Sequence, residues 1–397
     1  MVAVGTRDCA VCGSSEKRLL FRQRFAGDLE GALFSGYEVV VCTRCGFGFA
    51  DGLPNQSAFD AYYARMSKYE FAHHGGEQEA AAERRYEATA AFVRPLVTDP
   101  RTRVLDIGCS TGGLLDAFRT AGYRQVLGLD PSPACARAAD SRYGIAVLQG
   151  SLLKPPDTIG RHDLILLSAV LEHVRDLRAA LAETHALLEA GGYLYAEVPD
   201  ATRFGEARDA PFQEFSVEHV NYFSPRSLRN LLDTAGFSAV ALESAALDLA
   251  PGTVGYAVRG LFRKTDRVES RFEIDDETGP ALDAYIEASG TIEAGLRAAI
   301  DPWVGSGRPI VVWGVGTHTQ RLLATSDLKK ARIVAYVDSN QNYQGALFGG
   351  VPVISPDAVR ARTEPILISS RFYQEEIARQ VRDELGLSNE LIRLYRL

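Results

Sequence analysis

Residues 104–113, with the sequence VLDIGCSTGG, constrain the fold of this chain more than any other stretch. An apolar run that ends in glycines predicts a buried strand followed by a tight turn into a helix. Glycines allow the backbone of such a turn to approach a ligand, because no side chain stands in the way. The turn would lie beside the carboxyl end of its strand, where open α/β sheets bind their ligands. Taken alone, it fits an ordinary strand-to-helix connection equally well.

Four more apolar strands follow this turn and alternate with helix-favouring segments. They are predicted at residues 126–130, 146–148, 163–168 and 193–198. The alternation predicts an α/β fold with a largely parallel, doubly wound sheet. The spacing Asp106-x-Gly108-x-x-x-Gly112 differs from the dinucleotide pattern G-x-G-x-x-G, and no Lys-Ser or Lys-Thr follows it to bind a triphosphate.

Two of these strands end at positions that indicate a nucleoside ligand. Asp130-Pro131 ends the second strand, and Asp130 follows Gly108 by about 20 residues, the spacing at which nucleotide sites place an acid for the ribose hydroxyls. The third strand leads into Ser151-Leu152, whose backbone can frame an adenine. Together with the glycine turn, these positions predict one binding crevice at the carboxyl edge of the sheet.

Four of the six cysteines form two pairs, Cys9-x-x-Cys12 and Cys42-x-x-Cys45, and a glycine follows each pair. Each pair can form a knuckle that directs two thiolates at one ion, and four thiolates in a tetrahedral array suit Zn²⁺. A closed shell of four thiolates leaves no position for substrate, so the zinc would be structural. A redox pair or unligated thiols are the alternatives.

Composition limits the class of partner. The chain has 397 residues, of which 46% are hydrophobic and 24% charged, with a formal net charge of -8. This acidic balance provides no electrostatic footprint for nucleic acid or an anionic membrane. No apolar run approaches the roughly 20 residues of a membrane span, and the N-terminus lacks the pattern of a signal peptide. We therefore expect a cytoplasmic protein with a small-molecule substrate, no nucleic-acid partner and no membrane; the sequence is silent on oligomeric state.

The order of these motifs resembles that of class I S-adenosylmethionine-dependent methyltransferases over about residues 85–245. The matching features are the Asp-Ile-Gly-Cys turn, the strand-ending acid, the Gly-Ser-Leu and Leu-Glu-His-Val segments, and the glycine pair at 191–192. The resemblance implies S-adenosylmethionine as cofactor, with its methionine portion near Asp106 and Gly108, and its ribose near Asp130. The expected cofactor contacts are Asp106, Gly108, Cys109, Ser110, Gly112, Asp130, Pro131, Ser151, Leu152, Ser168 and Tyr69.

A dense polar and aromatic cluster at residues 213–224 follows the fifth strand and contains Glu218-His219. Adjacent residues of a regular strand face opposite ways, but on a loop over the carboxyl edge the two side chains can converge, with the carboxylate orienting the imidazole. A structural turn that starts the next helix is the alternative. His173, beside the cofactor strands, is a second candidate for the chemistry, or a helix-start residue that bonds the backbone.

The whole arrangement looks like the sugar C-methyltransferase family that acts on nucleotide-linked deoxysugars. The likeness covers the four-cysteine module, a tyrosine-bearing linker at residues 59–69, the methyltransferase core, the Glu-His pair and a second α/β unit. It implies that His219 is the base that takes a proton from the carbon beside a ketone, with Glu218 as its partner. His173 would then stabilise the enolate oxygen.

Two departures from that family leave the acceptor open. The family usually has Tyr two positions before the Glu of the pair, where this chain has Ser216; Tyr222 is a substitute. The first motif usually continues Cys-Asn-Asp-Gly, whereas this chain has Ser110 and Thr111 before the glycine. A sugar hydroxyl or amine therefore remains an alternative to carbon.

The C-terminal third begins again with a strand, a glycine turn and a helix at residues 309–319, and its second strand ends at Asp338. We expect a second Rossmann-like α/β domain, which resembles the nucleotide-sugar-holding unit of the same family. His318, Ser370 and Arg371 would reach a diphosphate, or serve structure alone. The predicted domains are a zinc-binding module (1–60), the methyltransferase domain (61–245) and a C-terminal substrate domain (246–397).

Two other classes of function share some of these features. A zinc-ribbon RNA methyltransferase would combine similar parts, but it predicts a basic face, which the acidic composition does not favour. A binding module that has lost its chemistry predicts weak cofactor binding, and the intact set of Asp106, Gly108 and Asp130 argues for a working site. The sugar, its nucleotide, the ring position and the stereochemistry lie beyond the sequence.

Overall fold

The computed structural model describes residues 5–26, 33–64, 77–206, 210–250, 253–268 and 271–395. Up to residue 93 the elements are β1 (Lys17–Arg24), β2 (Gly36–Cys42), β3 (Gly48–Asp51), α1 (Gln56–Tyr63) and α2 (Glu77–Val93). The central part contains β4 (Arg103–Ile107), α3 (Gly113–Thr120), β5 (Gln125–Asp130), α4 (Pro133–Tyr143), β6 (Val147–Gln149), β7 (His162–Ser168), α5 (Leu177–Leu187), β8 (Leu188–Pro199), β9 (Asn221–Tyr222), α6 (Pro225–Asp233), β10 (Phe237–Ala250) and β11 (Thr253–Lys264). The last part contains α7 (Thr278–Ser306), β12 (Ile310–Trp313), α8 (Thr317–Thr325), β13 (Ile333–Val337), β14 (Leu347–Phe348), β15 (Val351–Ile354), β16 (Ile366–Ile368), α9 (Gln374–Arg379) and β17 (Leu391–Arg393).

Seven strands form the main sheet, in the order β10-β11-β8-β7-β4-β5-β6. The pairs among β4 to β8 are parallel, whereas β11 and β10 add two antiparallel strands at one edge. Residues 164–167 of β7 are fully buried, as expected for a strand covered on both faces. The expected Rossmann-like α/β core is confirmed. Since β5 and β6 lie on one side of β4 and β7 on the other, the order reverses beside β4, where such sheets bind ligands.

A second sheet has six strands in the order β14-β15-β13-β12-β16-β17. Its strands are parallel except for β14. Every residue of β12 is buried. As in the first sheet, the central strand leads through glycines into a helix, here α8.

A third sheet, in the order β1-β2-β3-β9, joins the cysteine-bearing segment to the polar cluster that follows the fifth strand of the core. β3 and β9 are antiparallel, with Gly48 opposite Tyr222 and Phe49 opposite Asn221. The two residues of β9 come directly after Glu218-His219-Val220, so this pairing fixes one end of the segment that carries the predicted base.

The chain divides into two compact units. One comprises Met1–Leu20, Val39–Arg208 and Glu218–Leu282, and the other comprises Phe21–Glu38, Asp209–Val217 and Asp283–Leu397. The first unit contains the four paired cysteines, the seven-stranded sheet, His173 and His219. The division into consecutive domains at residues 1–60, 61–245 and 246–397 remains a prediction.

Candidate active site and zinc site

The glycine turn between β4 and α3 has the left-handed geometry that the sequence pattern predicts. Gly108 and Gly112 have φ values of 77° and 83°. A Cβ on Gly108 would lie 3.0 Å from the side chain of Val170. Non-glycine residues rarely adopt such φ values, and these glycines allow the backbone to turn sharply at the carboxyl end of β4.

Asp130 holds this turn from the neighbouring strand. The main-chain amides of Ser110 and Ser132 donate to its two carboxylate oxygens, each at 2.9 Å. Ser110 itself has a φ of 49°, an uncommon conformation for a residue with a side chain. Asp130 therefore shapes the backbone of the crevice, a role additional to the predicted ribose contact.

Asp106 lies at the end of β4 and is 3% exposed. Burial, reinforced by the charge of Asp130, raises its pKa well above the usual range for a carboxyl group. The ionised form of a carboxyl group buried in this way is stabilised by a cationic partner. The ammonium group of a bound methionine portion would be such a partner, so the site fits the implied cofactor.

The other predicted cofactor contacts lie along the same edge, with two qualifications. Ser151 and Leu152 follow β6, and Ser168 ends β7, where its hydroxyl donates to Glu197 at 3.2 Å. Cys109 is 5% exposed and belongs to an apolar cluster; burial raises the pKa of its thiol. Packing is therefore the role that its surroundings show. Tyr69 lies outside the described residues.

The two candidate histidines meet at this edge of the sheet. His173 ends a short helical turn after β7, and its ring centroid lies 5.0 Å from that of His219. The Nδ1 atom of His173 is 3.0 Å from the main-chain oxygen of Glu218 and 3.1 Å from the hydroxyl of Tyr63. A carbonyl oxygen can only accept, so the contact with Glu218 requires a hydrogen on Nδ1 and leaves the lone pair of a neutral ring on Nε2.

Glu218 and Tyr222 support this arrangement differently from the expectation. The carboxylate of Glu218 accepts a hydrogen bond from the Tyr62 hydroxyl at 3.2 Å. Tyr222 is fully buried, and its hydroxyl donates to the main-chain oxygen of His219 at 3.3 Å. These contacts hold the loop that carries His219. Their catalytic roles remain predictions.

Two residues of this region carry contacts that sequence reasoning did not single out. Arg7 donates to the Val220 main-chain oxygen and, at 2.9 Å, to the Asn221 side-chain oxygen. Asn221 is 2% exposed. More than 200 residues separate Arg7 from these partners, at 213 and 214 positions along the chain. No local pattern could have revealed the pairing.

The four paired cysteines converge on one point. Their sulfur atoms all lie within 4.8 Å of one another, with Cys9–Cys45 at 3.4 Å and Cys12–Cys42 at 3.5 Å. Tetrahedral bonds of about 2.3 Å to Zn²⁺ place thiolate sulfurs roughly 3.8 Å apart. The cluster therefore fits a zinc ion held by four thiolates.

Both knuckles have the turn that the following glycine permits. Gly13 donates its amide to the Cys9 oxygen and Gly46 donates to the Cys42 oxygen, each at 2.9 Å. Gly46 has a φ of 84°, and a Cβ there would lie 1.8 Å from the main-chain oxygen of Asp275. The backbone of Asp275 in turn donates to the Cys45 oxygen at 2.9 Å.

The residues proposed for a diphosphate belong to the second unit. His318 lies in the first turn of α8, is 7% exposed, and has its Nε2 atom 2.8 Å from the Tyr395 hydroxyl. Burial, with the charge of Arg321, lowers its pKa to about 3. His318 is therefore neutral at ordinary pH and brings no positive charge to an anion. Arg371 lies against the same Tyr395 ring, at 5.7 Å from its centroid, and Ser370 accepts the Tyr373 amide at 3.1 Å.

Comparison with known proteins now identifies the core of the first unit. Residues 79–242 match the family model described as a methyltransferase domain. These residues therefore have the fold of class I S-adenosylmethionine-dependent methyltransferases. Residues 307–392 match a second model, described as C2185-like, N-terminal.

Relatives of the methyltransferase domain act in several pathways by their names. The chain is 29% identical over 170 residues to a malonyl-[acyl-carrier protein] O-methyltransferase of Serratia marcescens, covering 43% of this chain and 66% of that protein. It is 32% identical over 145 residues to the biotin biosynthesis bifunctional protein BioCD of Bordetella avium, covering 36% and 30%. A ubiquinone biosynthesis O-methyltransferase of Rhodopseudomonas palustris is 34% identical over 96 residues, covering 23% and 38%. The matches thus span about one third to two thirds of these relatives.

Solved structures also resemble this domain. The 1,6-didemethyltoxoflavin-N1-methyltransferase of Burkholderia thailandensis, solved with S-adenosylhomocysteine, aligns at a TM-score of 0.41 and 23% identity, covering 56% of this chain and 97% of that chain. The magnesium protoporphyrin IX methyltransferase of Synechocystis aligns at 0.41 and 15%, covering 53% and 100%. Among the described residues, no helix is long and apolar enough to cross a membrane.

Proposed function

We propose that this protein transfers a methyl group from S-adenosylmethionine to a carbon atom beside the ketone of a nucleotide-linked deoxysugar. The observation that supports this most is the meeting of His173 and His219, with ring centroids 5.0 Å apart, at the edge of the sheet where the glycine turn lies. An enolate route needs a base for the carbon-bound proton and a donor for the oxygen that becomes negative. Two imidazoles side by side can divide these tasks.

The proposed step balances as follows. His219 takes the proton from the carbon next to the ketone, and the electron pair of that C–H bond forms the enolate. Because the Nδ1–H of His173 is donated to the Glu218 main-chain oxygen, His173 would stabilise the enolate oxygen through a second proton, carried on Nε2. The bound cofactor supplies a methyl group on a positively charged sulfur. The new C–C bond forms as the C–S bond breaks, and its electron pair remains on sulfur as S-adenosylhomocysteine.

Orientation is the second requirement of this displacement. Carbon, methyl group and sulfur must lie in line, and such alignment supplies much of the rate. Here the Asp130 carboxylate fixes the turn at Ser110, and Tyr63 and the Glu218 main chain fix the ring of His173. The cofactor crevice and His173, the proposed stabiliser of the enolate oxygen, would thus be held by separate contacts.

Oxygen is the second candidate acceptor. Two of the relatives are named O-methyltransferases, of malonyl-[acyl-carrier protein] and of ubiquinone biosynthesis. A histidine base serves a hydroxyl as well as a carbon acid, because both must lose a proton before or during methyl transfer. The acceptor must therefore be read directly from the product.

The deciding experiment uses S-adenosylmethionine with a carbon-13 methyl group and a panel of nucleotide-linked sugars, both keto and hydroxy. The methyl chemical shift by NMR distinguishes a methyl on carbon from one on oxygen or nitrogen. We expect a carbon-bound methyl from keto sugars only. An oxygen-bound methyl would retain the cofactor site and reject the enolate; no product from any sugar would reject the sugar as substrate.

We further infer that the four cysteines hold a structural zinc ion and that the C-terminal α/β segment holds the nucleotide. The converging sulfur atoms support the first inference, and the sheet of β12 to β17, parallel except for β14, supports the second. Cys42→Ser should remove about one equivalent of zinc per chain and lower the melting temperature. Unchanged zinc content in that variant would reject the zinc assignment.

A further inference from the structure

Arg7 is a half-buried cation that donates hydrogen bonds to main-chain and side-chain acceptors of three distant segments. Its guanidinium donates to the main-chain oxygens of Ala50 at 2.8 Å and Arg175 at 2.9 Å, and to Val220 and Asn221. Its own backbone amide donates to Asp51 at 2.8 Å. Arg7 thus fastens the stretch just before Cys9 to the segment after His219.

Asn221 continues this chain of contacts to the other histidine. Its amide nitrogen donates to the main-chain oxygens of Leu171 and Val174, both at 2.7 Å. These two carbonyls bracket the short helical turn that contains His173. Because the Asn221 oxygen accepts from Arg7, the amide is oriented with both N–H groups toward that turn.

A third contact links the two histidine segments directly. The Val220 amide donates to the Glu172 main-chain oxygen at 2.8 Å, while the Val220 oxygen accepts from Arg7. Val220, which follows His219, is therefore hydrogen-bonded to Glu172, which precedes His173. Main-chain hydrogen bonds of this kind hold the side chains of His173 and His219 at a fixed spacing.

We infer that Arg7 and Asn221 are positioning residues through which the cysteine module sets the spacing of His173 and His219. The inference rests on the proposed function for the catalytic role of the two histidines. It assigns the N-terminal module a task in the reaction, since loss of the module would loosen the pair. Displacement of a reacting group by about 1 Å can cost two orders of magnitude in rate.

Arg178 provides a matched control. It also fastens the cysteine module to the core, donating to the main-chain oxygens of Ala10 at 2.7 Å and Val11 at 3.2 Å. In the described part of the chain, its hydrogen bonds lie at the first knuckle and away from the histidine segments. Arg178→Ala therefore removes an arginine anchor of the same module while leaving the Arg7 and Asn221 contacts in place.

The test uses the full-length protein with Arg7→Lys and Asn221→Asp. Lysine keeps the charge but cannot reach four acceptors in a fixed fork; aspartate keeps the shape and the acceptor for Arg7 but loses both N–H donors. We expect each variant to lower kcat about tenfold or more, with zinc content and the Kd for S-adenosylmethionine within about twofold of wild type. Arg178→Ala should retain wild-type kcat.

Two readouts separate positioning from a general loss of stability. The double variant should be no slower than about twofold below the slower single variant, because both act through one chain of contacts. The histidine ring ¹H–¹³C NMR signals of His173 and His219 should shift in both single variants and stay unchanged in Arg178→Ala. A kcat for Arg7→Lys equal to that of Arg178→Ala, or fold-losses that multiply in the double variant, would overturn the inference.

The NMR measurement needs no substrate. Shifted histidine signals in a protein that methylates none of the sugars would reject the proposed function and leave the positioning contacts supported. Unshifted signals in a protein that does methylate a keto sugar would reject the positioning inference alone.

Discussion

At the scale of single residues, the two carboxyl groups of the crevice, Asp106 and Asp130, have different surroundings. Asp130 accepts hydrogen bonds from two backbone amides. Asp106, buried beside it, has a raised pKa. A bound cation would stabilise the ionised form of Asp106.

His219 is the residue on which the proposed chemistry depends most. We predict that His219→Asn lowers kcat at least ~100-fold, because it removes the base, while the Kd for S-adenosylmethionine, from calorimetry, stays within about twofold. His185→Asn is the matched control, since His185 lies on α5 and its Nε2 atom is 3.2 Å from the main-chain oxygen of Thr265. Turnover in the His219 variant equal to that of the control would reject His219 as the base.

We expect the buried charge of Asp106 to lower the stability of the fold and to strengthen binding of S-adenosylmethionine. A carboxyl group whose folded pKa exceeds its unfolded value of about 3.9 contributes most stability below that value and loses it as pH rises toward the folded pKa. We predict that Asp106→Asn raises the melting temperature by ~3 °C at pH 7.5, with a smaller gain at pH 4.5. The Kd for S-adenosylmethionine should rise at least ~10-fold as a charged hydrogen bond is lost.

The exposed Asp140→Asn is the control for this experiment. Its melting temperature should match that of wild type at both pH values. A destabilised Asp106→Asn at pH 7.5 would show that burial of the charge is already compensated without the cofactor.

At the scale of elements, short non-local pairings decide where the loops go. β9 has only two residues, yet its pairing with β3 fixes the end of the His219 loop. The knuckle at Cys42 to Cys45 is likewise held by a distant segment, through the Asp275 backbone. Each contact joins residues far apart in the chain, and local propensity carries no signal for it.

Gly46 tests the packing of that knuckle. Gly46 and Gly52 both have positive φ, at 84° and 71°, but a Cβ would lie 1.8 Å from Asp275 at Gly46 and meet nothing within 4 Å at Gly52. We predict that Gly52→Ala costs about 1 kcal/mol in the free energy of unfolding, from φ alone. Gly46→Ala should cost at least ~2 kcal/mol more. Equal midpoints of urea unfolding for the two variants would contradict the close approach.

At the scale of the whole molecule, the compact units are interleaved along the chain. The second unit is built from Phe21–Glu38, Asp209–Val217 and Asp283–Leu397. Within it, the buried guanidinium of Arg321 pairs with Glu293 at 2.8 Å, contacts Gln23, and lies 3.7 Å from the centroid of the Phe212 ring. Each of the three segments thus contributes to the surroundings of one buried charge.

Because the second unit is built from three segments, a fragment that contains only one of them should fold poorly. Residues 283–397 expressed alone keep the Arg321–Glu293 pair but lack Gln23 and Phe212. We predict that thermal unfolding of the fragment lacks a sharp transition, because a buried ion pair stripped of its cover is costly. A chain of 21–38, 209–217 and 283–397 joined by flexible linkers is the control and should unfold cooperatively. A cooperative transition in the short fragment would contradict the three-segment unit.

Much of the fold and part of the candidate site were readable along the chain because their signals are local. The apolar runs, the glycine turn at Gly108, the strand-ending Asp130 and the cysteine pairs are each set by a few neighbouring residues, and periodicity with turn chemistry suffices to place them. They predicted the α/β core, which is confirmed, and the cysteine cluster, which the structure brings together. What needed the folded chain was every contact between distant segments: Arg7 with Asn221, β3 with β9, and Tyr63 with His173. Such pairings follow from burying several surfaces at once, and no stretch of sequence encodes them alone.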